Sequence, residues 1–115
     1  MIVLLVEDDD DLRRVLEIAL GDEFEVRSCS TGTEGLERLR TEYVDVLLTD
    51  LDLPGPSGEE LARMAKTLLW RVRIVTMSGN PARLEASRAL ADAVIAKAGP
   101  LAALIAAFKG ALGHH

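Results

Sequence analysis

Aromatic residues are scarce in this 115-residue chain: one Trp, one Tyr and two Phe make up 3% of it. With 49% hydrophobic residues overall, any core must be packed from Leu, Val, Ile and Ala. Cysteine is nearly absent. The single Cys29 excludes an intrachain disulfide framework and suits a reducing compartment. Bases are outnumbered, thirteen Lys and Arg against nineteen Asp and Glu, for a formal charge of −6. Nucleic-acid affinity comes from Lys and Arg displacing counterions, so no direct nucleic acid binding is expected. Long apolar runs are missing too: the longest, Leu101 to Phe108, has eight residues, whereas a membrane span takes ~18–20. The opening Met1-Ile2-Val3-Leu4-Leu5-Val6 has no basic leader and meets acids at once, unlike a signal peptide. No GxGxxG or Walker pattern follows any apolar run, which argues against a flavin or nucleotide phosphate loop. The expectation is one cytoplasmic domain of near-modal size, without repeats, low-complexity tracts or linkers.

Short apolar runs alternate with amphipathic stretches. Ile2 to Val6 is continuous and rich in β-branched residues, as a strand buried on both faces requires. Asp10 or Asp11 is expected to cap a helix whose Leu12, Val15, Leu16, Ala19 and Leu20 form one stripe, stopped by Gly21. Glu25 to Cys29 reads as a more polar strand nearer an edge. A helix from about Thr33 to Thr41, burying Leu36 and Leu39, and a strand from Val44 to Thr49 follow. After the Pro54-Gly55-Pro56-Ser57-Gly58 turn, Ser57 and Glu60 have capping-box spacing for a helix through about Leu69. Val72 to Met77 is a strand. Asn80-Pro81 opens a helix to about Leu90, with proline where its missing N–H costs nothing. A brief strand, Val94 to Ala96, precedes a last helix opened by Pro100, with Leu101, Leu104, Ile105 and Phe108 on one side. The domain is expected to span 1–112, with 113–115 a terminal piece whose His114 and His115 suit a purification tag better than a metal site.

Five strands alternating with five helices imply parallel pairing through right-handed crossovers, a doubly wound α/β sandwich. Ligands of such folds bind at the carboxyl ends of the strands, where strand order reverses. Glu7 and Asp8 follow the first strand, with Asp9 to Asp11 suited to a solvated loop and helix cap. Asp50 follows the third, Ser78 the fourth and Lys97 the fifth. With strands one and three adjacent, Glu7, Asp8 and Asp50 converge. Like charges that close raise each other's pKa unless a cation intervenes. A hard divalent ion such as Mg2+ takes carboxylates, a backbone carbonyl and water, and leaves room for phosphate. Lys97 supplies a fixed cation and Ser78 a hydroxyl donor, a set suited to phosphoryl transfer onto a carboxylate. Asp45, at the other end of the third strand, is expected to be a turn residue. Asp52 is expected to act through its backbone rather than its carboxylate.

Together, Val3-Leu4-Leu5-Val6-Glu7-Asp8-Asp9, Asp45-Val46-Leu47-Leu48-Thr49-Asp50-Leu51-Asp52-Leu53-Pro54-Gly55 with Gly58, Val75-Thr76-Met77-Ser78-Gly79 and Lys97 resemble the receiver domain of two-component response regulators, across essentially residues 1–112. The resemblance implies a flavodoxin-like sheet of order 2-1-3-4-5. It implies that Asp50 accepts a phosphoryl group from a histidine kinase or histidine phosphotransfer protein. It assigns Mg2+ to Asp8, Asp50, the Asp52 backbone carbonyl and, through water, Glu7. Ser78 matches the switch hydroxyl, and Lys97 the phosphoryl-pairing lysine. The implied partner downstream is an effector protein or fused output domain, with a homodimer through helix four, strand five and helix five as a further possibility.

Three positions depart from the family pattern. Ala98 stands where proline usually follows the lysine across a cis bond. A non-proline cis bond costs about 3 kcal/mol, so a trans Lys97–Ala98 bond is predicted. Val94 replaces the strand-five aromatic that often reports the switch. The Ser78–Lys97 interval is short, predicting a stunted fourth helix. Two other readings remain open on the sequence: a receiver-like binding module that never takes phosphate, and a phosphatase of haloacid-dehalogenase type, whose DxDx(T/V) motif Asp50-Leu51-Asp52-Leu53 partly resembles.

Overall fold

The computed structural model describes residues 1–113. Its elements are β1 (Ile2–Val6), α1 (Asp10–Leu20), β2 (Glu25–Cys29), α2 (Gly32–Thr41), β3 (Val46–Asp50), α3 (Gly58–Leu68), β4 (Arg73–Ser78), α4 (Pro81–Ser87), β5 (Ala93–Ala96) and α5 (Leu101–Ala111). All four strand pairings are parallel, in the order β2-β1-β3-β4-β5. The doubly wound sheet and the edge position of β2 agree with the sequence. His114 and His115, read as a tag, lie outside the described residues.

Alternation along the central strands feeds two cores. Val3 and Leu5 of β1, Val46 and Leu48 of β3, and Val75 and Met77 of β4 pack against Leu16 and Leu20 of α1 and Leu104 and Phe108 of α5. The intervening Leu4, Val6, Leu47 and Ile74 pack against Leu39 of α2 and Leu61, Ala62 and Ala65 of α3. Each fully buried aliphatic side chain contributes about 1.5–3 kcal/mol, so aliphatic packing suffices where aromatics are few. Phe24 packs edge-on to Phe108, with ring centroids 5.6 Å apart.

Several element boundaries differ from expectation. The cap of α1 is Asp9, not Asp10 or Asp11: its extended backbone lets the carboxylate accept from the Asp11 and Leu12 N–H groups at 3.0 Å each. Leu36 is half-buried, whereas Leu39 is buried. Val44 precedes β3, and Asp50 itself closes that strand, in register with Met77. Helix α4 ends at Ser87 rather than near Leu90. There the Ser87 hydroxyl donates to the Leu84 carbonyl at 2.8 Å, and the Leu90 N–H turns back to Ser87.

Asp45 does more than form a turn. Its carboxylate accepts from the Ile2 N–H at 2.7 Å, and its backbone bridges Ile2 and Arg73, fastening the starts of β1, β3 and β4.

Candidate functional site

Strand register assembles the site. Val6 pairs with Thr49, so the next residues, Glu7 and Asp50, emerge side by side. Ser78 pairs with Ala96, and the Lys97 N–H donates to the Ser78 carbonyl at 2.9 Å, which delivers Lys97 beside them. One carboxylate oxygen from each of Glu7, Asp8 and Asp50 lies within 4.8 Å of the others.

The three acids sit in different environments. Glu7 is fully buried and Asp50 is 2% exposed, while Asp8 faces solvent. The Lys97 ammonium lies 2.8 Å from Glu7 Oε1 and 3.1 Å from Asp50 Oδ2. Burial, with the Asp50 charge adding to it, pushes Glu7 up to about 7 against the pull of Lys97 and the Asp9 N–H. Burial also works against the Lys97 charge, but contacts with Glu7 and Asp50 outweigh it and raise its pKa. Asp50 Oδ1 accepts from the Asp52 N–H at 3.1 Å, a local turn that fixes the carboxylate. Arg13 donates to the Glu7 carbonyl at 2.9 Å and pairs with Asp10, holding the β1–α1 loop.

Glycine permits the close approach beneath Asp50. A Cβ at Gly58 would lie 2.3 Å from the Asp50 carbonyl oxygen and 2.8 Å from Leu51 Cα. The start of α3 therefore seats directly against the backbone that carries the carboxylate.

These residues fit a hard divalent cation. The donors are all oxygen, they converge from two strand ends, and among the described residues buried Glu7 Oε1 has no hydrogen bond of good geometry, with the Lys97 charge 2.8 Å away. A cleft of about 190 Å3 lies at the other end of the sheet, lined by Tyr43, Leu68, Trp70 and Arg71 among others, remote from this chemistry.

The structure brings Glu7, Asp8, Asp50 and Lys97 together as the sequence suggested, but Ser78 and Asp52 are differently engaged. The Ser78 hydroxyl donates to Asp52 Oδ2 at 2.9 Å and accepts from the Asn80 N–H at 3.0 Å. The Asp52 carboxylate, expected to be idle, is thus occupied, and it also pairs with Arg83. Sequence reasoning missed Arg83. It donates to the Leu51 carbonyl at 3.0 Å and to both Glu59 oxygens at 2.8 and 3.0 Å.

Residues 3–109 match the response regulator receiver domain family. The chain belongs to that family. Among relatives of this receiver domain, the response regulator receiver protein CpdR of Brucella abortus (strain 2308) is 38% identical over 78 residues, 67% of this chain and 65% of that protein. Cell cycle response regulator CtrA of Brucella ovis is 35% identical over 80 residues, 69% of this chain and 34% of that protein. The chain thus spans less than two-thirds of these curated relatives. A CheY-like receiver domain protein from Methanospirillum hungatei JF-1 superimposes with a TM-score of 0.85 at 27% identity, covering 97% of this chain and 93% of that one.

The departures from the receiver pattern have structural counterparts. No cis peptide bond occurs among the described residues, so the Lys97–Ala98 bond is trans as predicted, and Gly99 follows with φ +95°. Helix α4 has only seven residues. Val94 is half-buried on β5, and no helix is long and apolar enough to cross a membrane among the described residues.

Proposed function

We propose that this receiver domain is a phosphoacceptor switch that takes a phosphoryl group on Asp50 from a phosphohistidine of a histidine kinase or histidine phosphotransfer protein. The observation that carries the proposal is the placement of Asp50: a buried carboxylate 3.1 Å from Lys97 and within 4.8 Å of the Glu7 and Asp8 carboxylate oxygens. An Asp50 oxygen attacks phosphorus, the P–N bond breaks, and its electron pair returns to the imidazole nitrogen, which regains neutrality or a proton from solvent. Lys97 neutralises charge on the phosphoryl oxygens and orients the carboxylate. Asp8, Asp50, the Asp52 backbone carbonyl and, through water, Glu7 are the residues that would hold Mg2+. When bound, the ion supplies charge neutralisation at the phosphoryl oxygens. Ser78 then serves as the hydroxyl donor whose move to the phosphoryl group shifts the population of the domain's two states.

The domain, residues 1–112, would signal in the cytoplasm to an effector protein or a fused output domain. Helix α4, strand β5 and helix α5 form its candidate homodimer face, and it makes no direct contact with nucleic acid or membrane. A phosphatase role is less well supported, because the Asp52 carboxylate that would be its general acid is bound to Ser78 and Arg83.

Incubation with Mg2+ and acetyl phosphate tests the proposal. The expected result is a mass gain of one phosphoryl group that is absent in Asp50→Asn. No gain at saturating Mg2+ would identify a binding module that never takes phosphate.

A further inference from the structure

A serine hydroxyl carries one proton and so can donate to one acceptor at a time. In this structure the Ser78 proton goes to Asp52 Oδ2 at 2.9 Å, while its oxygen receives the Asn80 N–H at 3.0 Å. Any contact between Ser78 and a phosphoryl group on Asp50 must therefore displace Asp52. What holds Asp52 in place is Arg83, whose planar fork serves two segments besides its own helix. One nitrogen pairs with the Asp52 carboxylate, and the other reaches the Leu51 carbonyl and both oxygens of Glu59. The β3–α3 loop, the first turn of α3 and α4 are thereby joined through one guanidinium.

The position of Arg83 is itself fixed from below. The next residue, Leu84, is buried, and the fully buried hydroxyls of Thr76 and Ser87 meet at 2.9 Å, anchoring α4 to β4. The side chains of Arg83 and Asp52 are 36% and 47% exposed. Solvent weakens such a pair, so it can bias a conformation without locking it.

We infer that Arg83 is a positioning residue: by clamping Asp52 it keeps the Ser78 hydroxyl on Asp52 and away from Asp50, and so sets how readily the site switches. This rests on the phosphoacceptor reading above. Asp52 competes with the phosphoryl group for one proton, and Arg83 holds the competitor in position. The fourth helix, short as it is, is wired to the site through this ion pair rather than through an aromatic on β5.

The test is a double-mutant cycle on beryllofluoride affinity in saturating Mg2+, a phosphoryl mimic that needs no donor. Four proteins are compared: the natural chain, Arg83→Ala, Ser78→Ala and the double variant. Losing the Arg83 charge affects anion affinity in both backgrounds and cancels in the ratio. The expected ratio, more favourable for Arg83→Ala when Ser78 is present, exceeds about threefold, beyond the scatter of independent sites. The Asn80 amide, which reports the parked hydroxyl, should exchange faster with solvent in Arg83→Ala. A ratio of about threefold or less overturns the inference, because a merely structural Arg83 would act equally in both backgrounds. If Arg83→Ala does not fold, the Asp52→Ala and Ser78→Ala cycle is read by the same criterion. Failure of the natural chain to bind beryllofluoride would sink the phosphoacceptor reading and this inference with it. Binding without coupling would sink this inference alone.

Discussion

The Lys97 ammonium lies 3.1 Å from Oδ2 of Asp50, at the end of a strand two places across the sheet from the one that carries the aspartate. Its other contact, 2.8 Å from Glu7, makes it the local charge balance for two buried carboxylates. Breaking a buried ion pair costs about 3–5 kcal/mol. The Lys97 side chain is 21% exposed, so about 2 kcal/mol is expected for Lys97→Met at pH 7.5. Glu7 has a folded pKa of about 7, above its ordinary value of 4.5. The folded state therefore binds the extra proton across that window, and stability rises as pH falls through it. Urea unfolding at pH 7.5 and 5.5 should show the deficit of Lys97→Met shrinking at the lower pH. A deficit independent of pH would contradict this balance.

Asp8 should trade stability for function. It is exposed, yet its carboxylate stands within 4.8 Å of two others. Asp8→Asn removes one like charge and should raise the melting temperature of the metal-free protein by a few degrees, about 0.5–1 kcal/mol. It should also abolish most of the stabilisation that added Mg2+ is expected to give the natural chain. Thermal melts with and without Mg2+ check both halves.

Two glycines should respond in opposite directions to alanine. At Gly58 the new Cβ would strike the Asp50 backbone at 2.3 Å, and overpacking of this kind costs about 1–3 kcal/mol. At Gly110, within α5, no heavy atom of the described residues lies within 4 Å of the added carbon, its chain neighbours and the helix's own nearby backbone aside. There alanine should stabilise by about 0.5 kcal/mol through helix propensity. Denaturant midpoints of the two variants decide the matter.

The free thiol should be chemically silent until the chain opens. Burial, aided by the Glu34 charge, pushes Cys29 up to about 12 from an ordinary value of 9. At pH 8 the folded protein thus holds about a thousandfold less thiolate than the unfolded chain. Thiol labelling should be correspondingly slow in buffer and fast in urea. The same displacement means stability is lost as pH rises from 9 towards 12, because the unfolded state gives up the proton first.

The sequence carried most of the fold and half of the site, for identifiable reasons. Glu7, Asp8 and Asp50 were legible because each directly follows a nearly continuous apolar strand, and parallel topology sends such residues to one end. Lys97 followed by the same logic. The cap of α1 differs from expectation because Asp9, Asp10 and Asp11, within a run of four aspartates, can each accept from a helix N-terminus, and only backbone dihedrals select Asp9. Arg83 was illegible. It lies in a seven-residue helix with no local pattern to mark it, and its partners Asp52 and Glu59 are 31 and 24 residues away. The carboxylate of Asp52 was misjudged for the same reason, since both its partners come from beyond its own loop.

Phosphorylation of the Asp50 carboxylate is tested most directly by chemical trapping. The natural chain is treated with Mg2+ and acetyl phosphate, reduced with borohydride and mapped by peptide mass spectrometry. An acyl phosphate at Asp50 is reduced to homoserine, so homoserine at position 50 alone is the predicted result. Its appearance at Asp8 or Asp52 instead, or at no position, would contradict the account.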